Sequence, residues 1–263
     1  MPTLRIASLV PSLTELLFDL DLGEAVVART GFCIHPREKL SKIPKVGGTK
    51  DVDLEKLFAT SPTHVVVNID ENRKELVAEL RRRVPTIVVT HPLTPDDNMA
   101  LYREFGVLFD RTHQADSLTR DYAAARAALA FEVANAAPRR VLYLIWKEPW
   151  YTVSRDTYVS SLLALANLQT TPSSTTTRYP VLDAADPAWD EAECILLSSE
   201  PYAFRQKHVD ALSHSLAIPR PVLLVDGELL SWYGSRAISG LSYLAGLRSQ
   251  VDSVVPRASD KVA

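Results

Sequence analysis

The chain has 263 residues, 46% of them apolar and 23% charged, and a net charge of −3. That length accommodates one large domain or two lobes of ordinary size, each with its own core. The charge is spread over both halves with no basic stripe to follow a polyphosphate backbone, which excludes nucleic acid as the expected partner.

The chain opens on a short apolar run, Leu4 to Val10, too short to span a membrane and read as the first strand, Arg5–Val10. No membrane insertion is expected. Neither a charged leader nor an apolar stretch of signal-peptide length precedes it, so the chain as written is expected in the cytoplasm; a trimmed mature form would be periplasmic. Ser12 is expected to cap a helix over Leu13–Asp21, with Glu15 completing a capping box. Strands follow at Ala25–Arg29, His64–Asn68 and Thr86–Thr90, separated by helices over Asp53–Ala59 and Asn72–Arg83. Strands alternating with helices predict a parallel sheet with right-handed crossovers.

From Asp96 to Ala136 the strand signal stops. Apolar residues at helical spacing (Leu101, Phe105, Leu108, then Leu118, Tyr122, Ala125, Leu129) predict a shorter helix, a weak point at 110–114 and a long helix over Ala115–Ala136. At 1.5 Å per residue the second would be about 33 Å long, enough to bridge two lobes. The alternation then resumes: strands at Val141–Ile145, Cys194–Leu197 and Val222–Val225, helices at Tyr158–Ala166, Lys207–Ser215 and Ser235–Leu247. Residues 170–178 read as a polar surface loop and the chain from Ser249 as a frayed tail. The expected fold class is therefore α/β: two lobes with mostly parallel sheets bridged by one long helix. Their limits are 1–95, 96–138 for the bridge, 139–248, and 249–263 for the tail.

Open parallel sheets bind ligands outside the carboxyl ends of their strands, so those positions carry the functional reading. In the first lobe they hold Phe32, Cys33 and His35, then Asp70 and Glu71, then His91. In the second they hold Trp146 and Trp150, then Tyr202, then Trp232 and Tyr233. Three of the four tryptophans fall in this set, at loops where a core does not need them. Aromatics with a few polar groups suit a large planar ligand. Cys33 and His35, two apart in an extended loop, with His91 and an acidic residue, would offer a thiolate–imidazole set for zinc or another transition metal. A structural role for that loop remains an equal alternative. A third is a Cys33 nucleophile beside a histidine. Motifs for phosphate loops, serine elbows and zinc proteases are absent from the sequence. The second cysteine, Cys194, lies in CILLSS and is expected in the core.

The runs IASLVPSLTELLFDLDLGEAVVART and KVGGTKDVDLEKLFATSPTHVVV, with a long helix after them, resemble the cluster-three solute-binding proteins, or helical-backbone metal receptors. Within that family the likeness is to the cobalamin-binding receptors of ABC transporters. The resemblance implies a non-enzymatic protein that holds a cobalamin-like corrinoid between its lobes, as transport receptor or intracellular carrier. It implies ligand contacts at Phe32, Cys33, His35, Gly48, Asp70, Glu71, Trp146, Trp150, Trp232 and Tyr233. It further implies that Glu71 docks to the transporter permease; the second-lobe partner falls near Asp183 or Asp186. The alternative ligand is a metal or metal chelate (iron–siderophore, haem, zinc) bound through Cys33, His35 and His91. Two departures stand out: the missing export signal, and Cys-Ile-His where cobalamin receptors carry a tyrosine-rich loop.

Overall fold

A computed structural model describes residues 3–173, 176–215 and 220–255. The chain divides into two compact α/β units. The first comprises residues up to Pro92, 96–120 and Tyr233–Arg236; the second comprises Leu93–Pro95, 121–232 and the chain from Ala237.

The first unit is built on β1 (Ile6–Ser8), β2 (Val26–Arg29), β3 (His64–Asn68) and β4 (Thr86–Thr90), in the order β2-β1-β3-β4 and parallel throughout. The helices are α1 (Pro11–Asp19), α2 (Arg37–Leu40), α3 (Leu54–Ala59), α4 (Lys74–Leu80) and α5 (Asp97–Leu108). Ile6, Ala7, Leu9, Val65 and Val67 are completely buried, because strands covered on both faces have no outward side to leave polar. From β1 the chain goes to one side, to β2, and then crosses to the other, to β3. The crevice of this sheet therefore lies at the ends of β1 and β3.

Two local expectations are corrected here. Ser12 does not cap α1: Pro11 occupies the first turn, where its missing N–H costs nothing, and Val10 takes the cap position without a side-chain hydrogen bond. Helix α4 starts at Lys74, not Asn72. The Asn72 side chain instead closes the turn, accepting from Asn68 N–H (2.9 Å) and donating to Thr49 O (2.9 Å). The Asp53 cap holds as expected, its carboxylate accepting from Lys56 N–H at 3.1 Å.

Helix α6 (Thr112–Glu132) is the long one, 21 residues or about 32 Å. Residues 112–120 belong to the first unit and the rest to the second. A Cβ on Gly106 would stand 2.6 Å from Ala115 Cβ, so the α5–α6 corner requires glycine there.

The second unit contains β5 (Arg139–Trp146), β6 (Trp150–Thr152), α7 (Tyr158–Ala164), β7 (Leu168–Thr170), β8 (Val181–Leu182) and α8 (Ala188–Glu191). These are followed by β9 (Cys194–Ser198), α9 (Gln206–Ser215), β10 (Val222–Val225), α10 (Gly227–Ser231) and α11 (Arg236–Val254). Its sheet runs β10-β9-β5-β6-β8, with β7 also paired to β5. Strands β10, β9, β5 and β7 are parallel, as expected of a mostly parallel sheet, and β6 and β8 add an antiparallel edge to it. The cause is the tight turn Lys147–Glu148–Pro149, with Glu148 at φ 61°, which returns the chain beside β5. The expected frayed tail is also corrected: α11 continues to Val254 because Val251 is fully buried and Arg248 pairs with Asp252 at 2.8 Å. Residues 256–263 of that expected tail lie outside the described residues. No described helix is long and apolar enough to cross a membrane.

Candidate functional site

In the first unit the turn after β3 is fixed by side chains that bond its backbone. Asp70 N–H donates to Asn68 Oδ1 (2.8 Å), and Lys50 Nζ donates to Asp70 O (2.6 Å). The Asp70 carboxylate lies 3.4 Å from His91 Nε2, at the end of β4. Glu71 accepts a hydrogen bond from the Tyr233 hydroxyl at 2.8 Å. Burial first, then the Glu71 charge, drives the Tyr233 pKa far above its ordinary value, so the phenol stays a donor.

Tyr233 is held there by the segment that carries it. Gly234 adopts φ 79°, its N–H donates to Asn98 Oδ1 (2.6 Å), and its carbonyl accepts from Tyr102 Oη (2.9 Å). Two residues on, Arg236 grips Glu15 of α1 in a bidentate pair, both contacts at 2.7 Å.

The loop after β2 splits its two expected functions. Phe32 is 63% exposed, and its ring lies over Gly48, where a Cβ would approach Phe32 Cε2 to 3.3 Å. Cys33 is fully buried, with its sulfur 3.2 Å from Thr30 Oγ1 and 3.8 Å from Ser8 O. Burial pushes its thiol pKa up, opposite to what a nucleophile or a thiolate ligand needs. His35 is half-buried in the same loop. Among the described residues, no group of three or more His, Cys, Asp or Glu is placed to hold a metal ion. The expected set of Cys33, His35 and His91 therefore does not assemble, because Cys33 turns inward to Thr30 and Ser8. Ile69, 57% exposed at the end of β3, is an apolar surface residue that the sequence reading passed over; its place directly after an apolar strand was the available signal.

In the second unit the strand-end aromatics form one connected wall. Trp146, 42% exposed, meets Tyr202 edge-on with ring centroids 5.4 Å apart. Tyr202 leans on Phe204 (4.6 Å), and Phe204 stacks with Trp150 (6.1 Å, 6° between planes). Trp150 in turn meets Trp189 at 5.7 Å and packs against the core cluster of Leu142, Ile195 and Leu212. Of the two expected tryptophans here, Trp146 faces out and Trp150 supports it. Trp232 is buried; its indole N–H donates to Glu200 Oε1 at 2.7 Å, beside the Ser231 hydroxyl at 2.8 Å. Burial raises the Glu200 pKa, and the Glu228 and Asp226 charges add to it against those two hydrogen bonds. Gly227 makes room for this arrangement, since a Cβ there would stand 2.6 Å from Glu200 Cγ. Glu200 stands in the same strand-end loop as Tyr202, but its role is visible only in the fold, because its partners lie 31 and 32 residues further on.

Residues 6–214 match the sequence model of the family described as periplasmic binding protein. A vitamin B12-binding protein of Pectobacterium carotovorum subsp. carotovorum is 23% identical over 257 residues, covering 97% of this chain and 91% of that one. Among solved structures, the periplasmic heme-binding protein RhuT from Roseiflexus sp. in apo form aligns with a TM-score of 0.81 at 21% identity, covering 95% and 99% of the two chains. The periplasmic vitamin B12 binding protein BtuF of Vibrio cholerae aligns at 0.80 and 17% identity, covering 95% and 98%. At these identities the structural likeness establishes the fold.

Proposed function

We propose, because this chain belongs to the periplasmic binding protein family, that it captures a cobalamin-like corrinoid and delivers it to an ABC-transporter permease. The family and the relatives named above are binding proteins, not enzymes, so what has to be explained is affinity. The observation that carries the reading is the exposure of Phe32 and Ile69 at strand ends of the first unit and of Trp146 at those of the second. Large apolar side chains gathered at the ligand end of an α/β sheet are stabilised when a ligand covers them. Asp70 and His91 supply polar contacts at the rim, and Gly48 supports the Phe32 ring. Glu71, oriented by Tyr233, is our proposed contact with the permease.

A heme-type macrocycle is the second reading, supported by the likeness of the fold to heme-binding proteins. Titration of the purified chain with cyanocobalamin, aquocobalamin and haemin, followed by absorbance, separates the two. A saturable change with a Kd of about 1 μM or tighter for a cobalamin supports the first reading, and the same for haemin alone supports the second. No change with any of them up to about 1 mM removes both.

A further inference from the structure

Around the exposed edge of the aromatic wall in the second unit, cations converge from two different loops. Lys147 follows Trp146 in the β5–β6 turn; Arg205 and Lys207 flank the start of α9. The two loops are tied together by Tyr202 N–H donating to Ile145 O at 3.3 Å. On the first turn of α9, the His208 ring lies 5.6 Å from that of Tyr202, and its Nδ1 accepts Arg205 N–H at 2.9 Å. That acceptor role leaves Nε2 as the protonated nitrogen of the neutral ring. Trp146 itself meets Tyr202 edge-on, so Lys147, Arg205 and Lys207 are brought to this edge by contacts among their immediate chain neighbours. Burial first, then the charges of Lys207, Lys147 and Arg205, push the His208 pKa down.

Two acidic side chains share the neighbourhood. Glu148 meets Lys147 Nζ at 3.0 Å, but it is 80% exposed, an ion pair that a ligand anion can displace. Asp210 is taken up by Gln206 Nε2 at 2.9 Å. Glu200 is turned away, toward Ser231 and Trp232.

We propose, resting on the binding function above, that the second unit stacks one face of the macrocycle on Trp146 and Tyr202. An anionic substituent of that ligand, a phosphate ester or a carboxylate, is then held by Lys147, Arg205 and Lys207. Planar aromatic contact and a nearby cation cluster are complementary to a ligand with a conjugated face and a charged arm. None of the three cations was legible as a site residue, because each is an ordinary surface base until the fold brings them to one edge.

The test compares charged and neutral probes of the same ring. Cyanocobalamin carries a phosphate ester that dicyanocobinamide lacks; haemin carries two carboxylates that its dimethyl ester masks. With wild type and the Lys147→Gln/Arg205→Gln/Lys207→Gln variant, titration should show the charged member of the bound pair weakened about tenfold or more. The neutral member should be unchanged within about twofold. The pair that responds identifies the anion as phosphate ester or carboxylate. Trp146→Ala should weaken charged and neutral members alike. Equal affinities of wild type and the triple variant for the charged probe overturn the anion site while leaving the binding function standing. A wild-type chain that binds none of the four overturns both. Far-ultraviolet circular dichroism confirms that each variant is folded; Arg205 and Lys207 are exposed and Lys147 is half-buried.

Discussion

The Tyr233 hydroxyl donates to Glu71 Oε1 at 2.8 Å across 162 positions of sequence, and it is the means by which a strand-end carboxylate of the first unit is given one orientation. Tyr233→Phe removes that donor while keeping the ring. Hydrogen bonds to charged groups contribute about 1.5–3 kcal/mol, and partial exposure of Glu71 moves the expected loss to the low end, about 1–2 kcal/mol. Urea unfolding checks this. A variant as stable as wild type would mean that the bond merely follows the fold.

Gly48→Ala tests the support of the exposed ring in the same unit. The new methyl would press on Phe32 Cε2 at 3.3 Å, and the ring, being exposed, can swing away. Stability should therefore change by less than about 0.5 kcal/mol. Affinity for the ligand identified by titration should fall several-fold. Unchanged affinity would take Phe32 out of the proposed binding surface.

Both cysteines are buried, and burial raises both thiols, Cys194 to about 12. Iodoacetamide at neutral pH is expected to label neither in the native protein and both in urea, read by mass spectrometry. Rapid native labelling of Cys33 would restore the reactive-thiol alternative.

Acid should loosen the end of α11. Burial alone would raise the Asp252 pKa, but hydrogen bonds and charge from Arg248 and Arg139 outweigh it and hold the carboxyl below its ordinary range. A depressed folded pKa means that the contribution is complete above the unfolded value, about 3.9, and disappears as pH falls through the folded one. The carboxylate is 41% exposed, which screens the pair, so Asp252→Asn should cost only about 1 kcal/mol at pH 7. The difference from wild type should shrink as pH falls below the unfolded value and vanish once the folded carboxyl is protonated. A gap that persists there would assign the effect to packing.

How much could be read without coordinates depended on the range of the interactions. The parallel sheet of the first unit follows from local runs such as His64–Asn68 and Thr86–Thr90, whose β-branched residues suit buried strands. The Asp53 cap is likewise decided within three residues. Ser12 was misread because Pro11 competes for the helix start, and Asn72 because a turn competes for its side chain. Strands β6, β7 and β8, of three, three and two residues, are too short to carry a period and exist only through their neighbours. The strand-end aromatics were legible as a group, yet which face outward was not. Trp146 and Trp150 look equivalent in sequence, and only the packing of Trp150 on Phe204 and Trp189 separates them.

The four residues Tyr233–Arg236 belong to the first unit although the chain on either side of them belongs to the second. In modular terms, no single cut releases the first unit intact. A fragment ending near residue 120 would retain Glu71, Asn98, Tyr102 and Glu15 but lose the hydrogen bonds they make with that late segment. Recombination between relatives at one crossover would separate the same partners, so the halves of this chain are bound to change together.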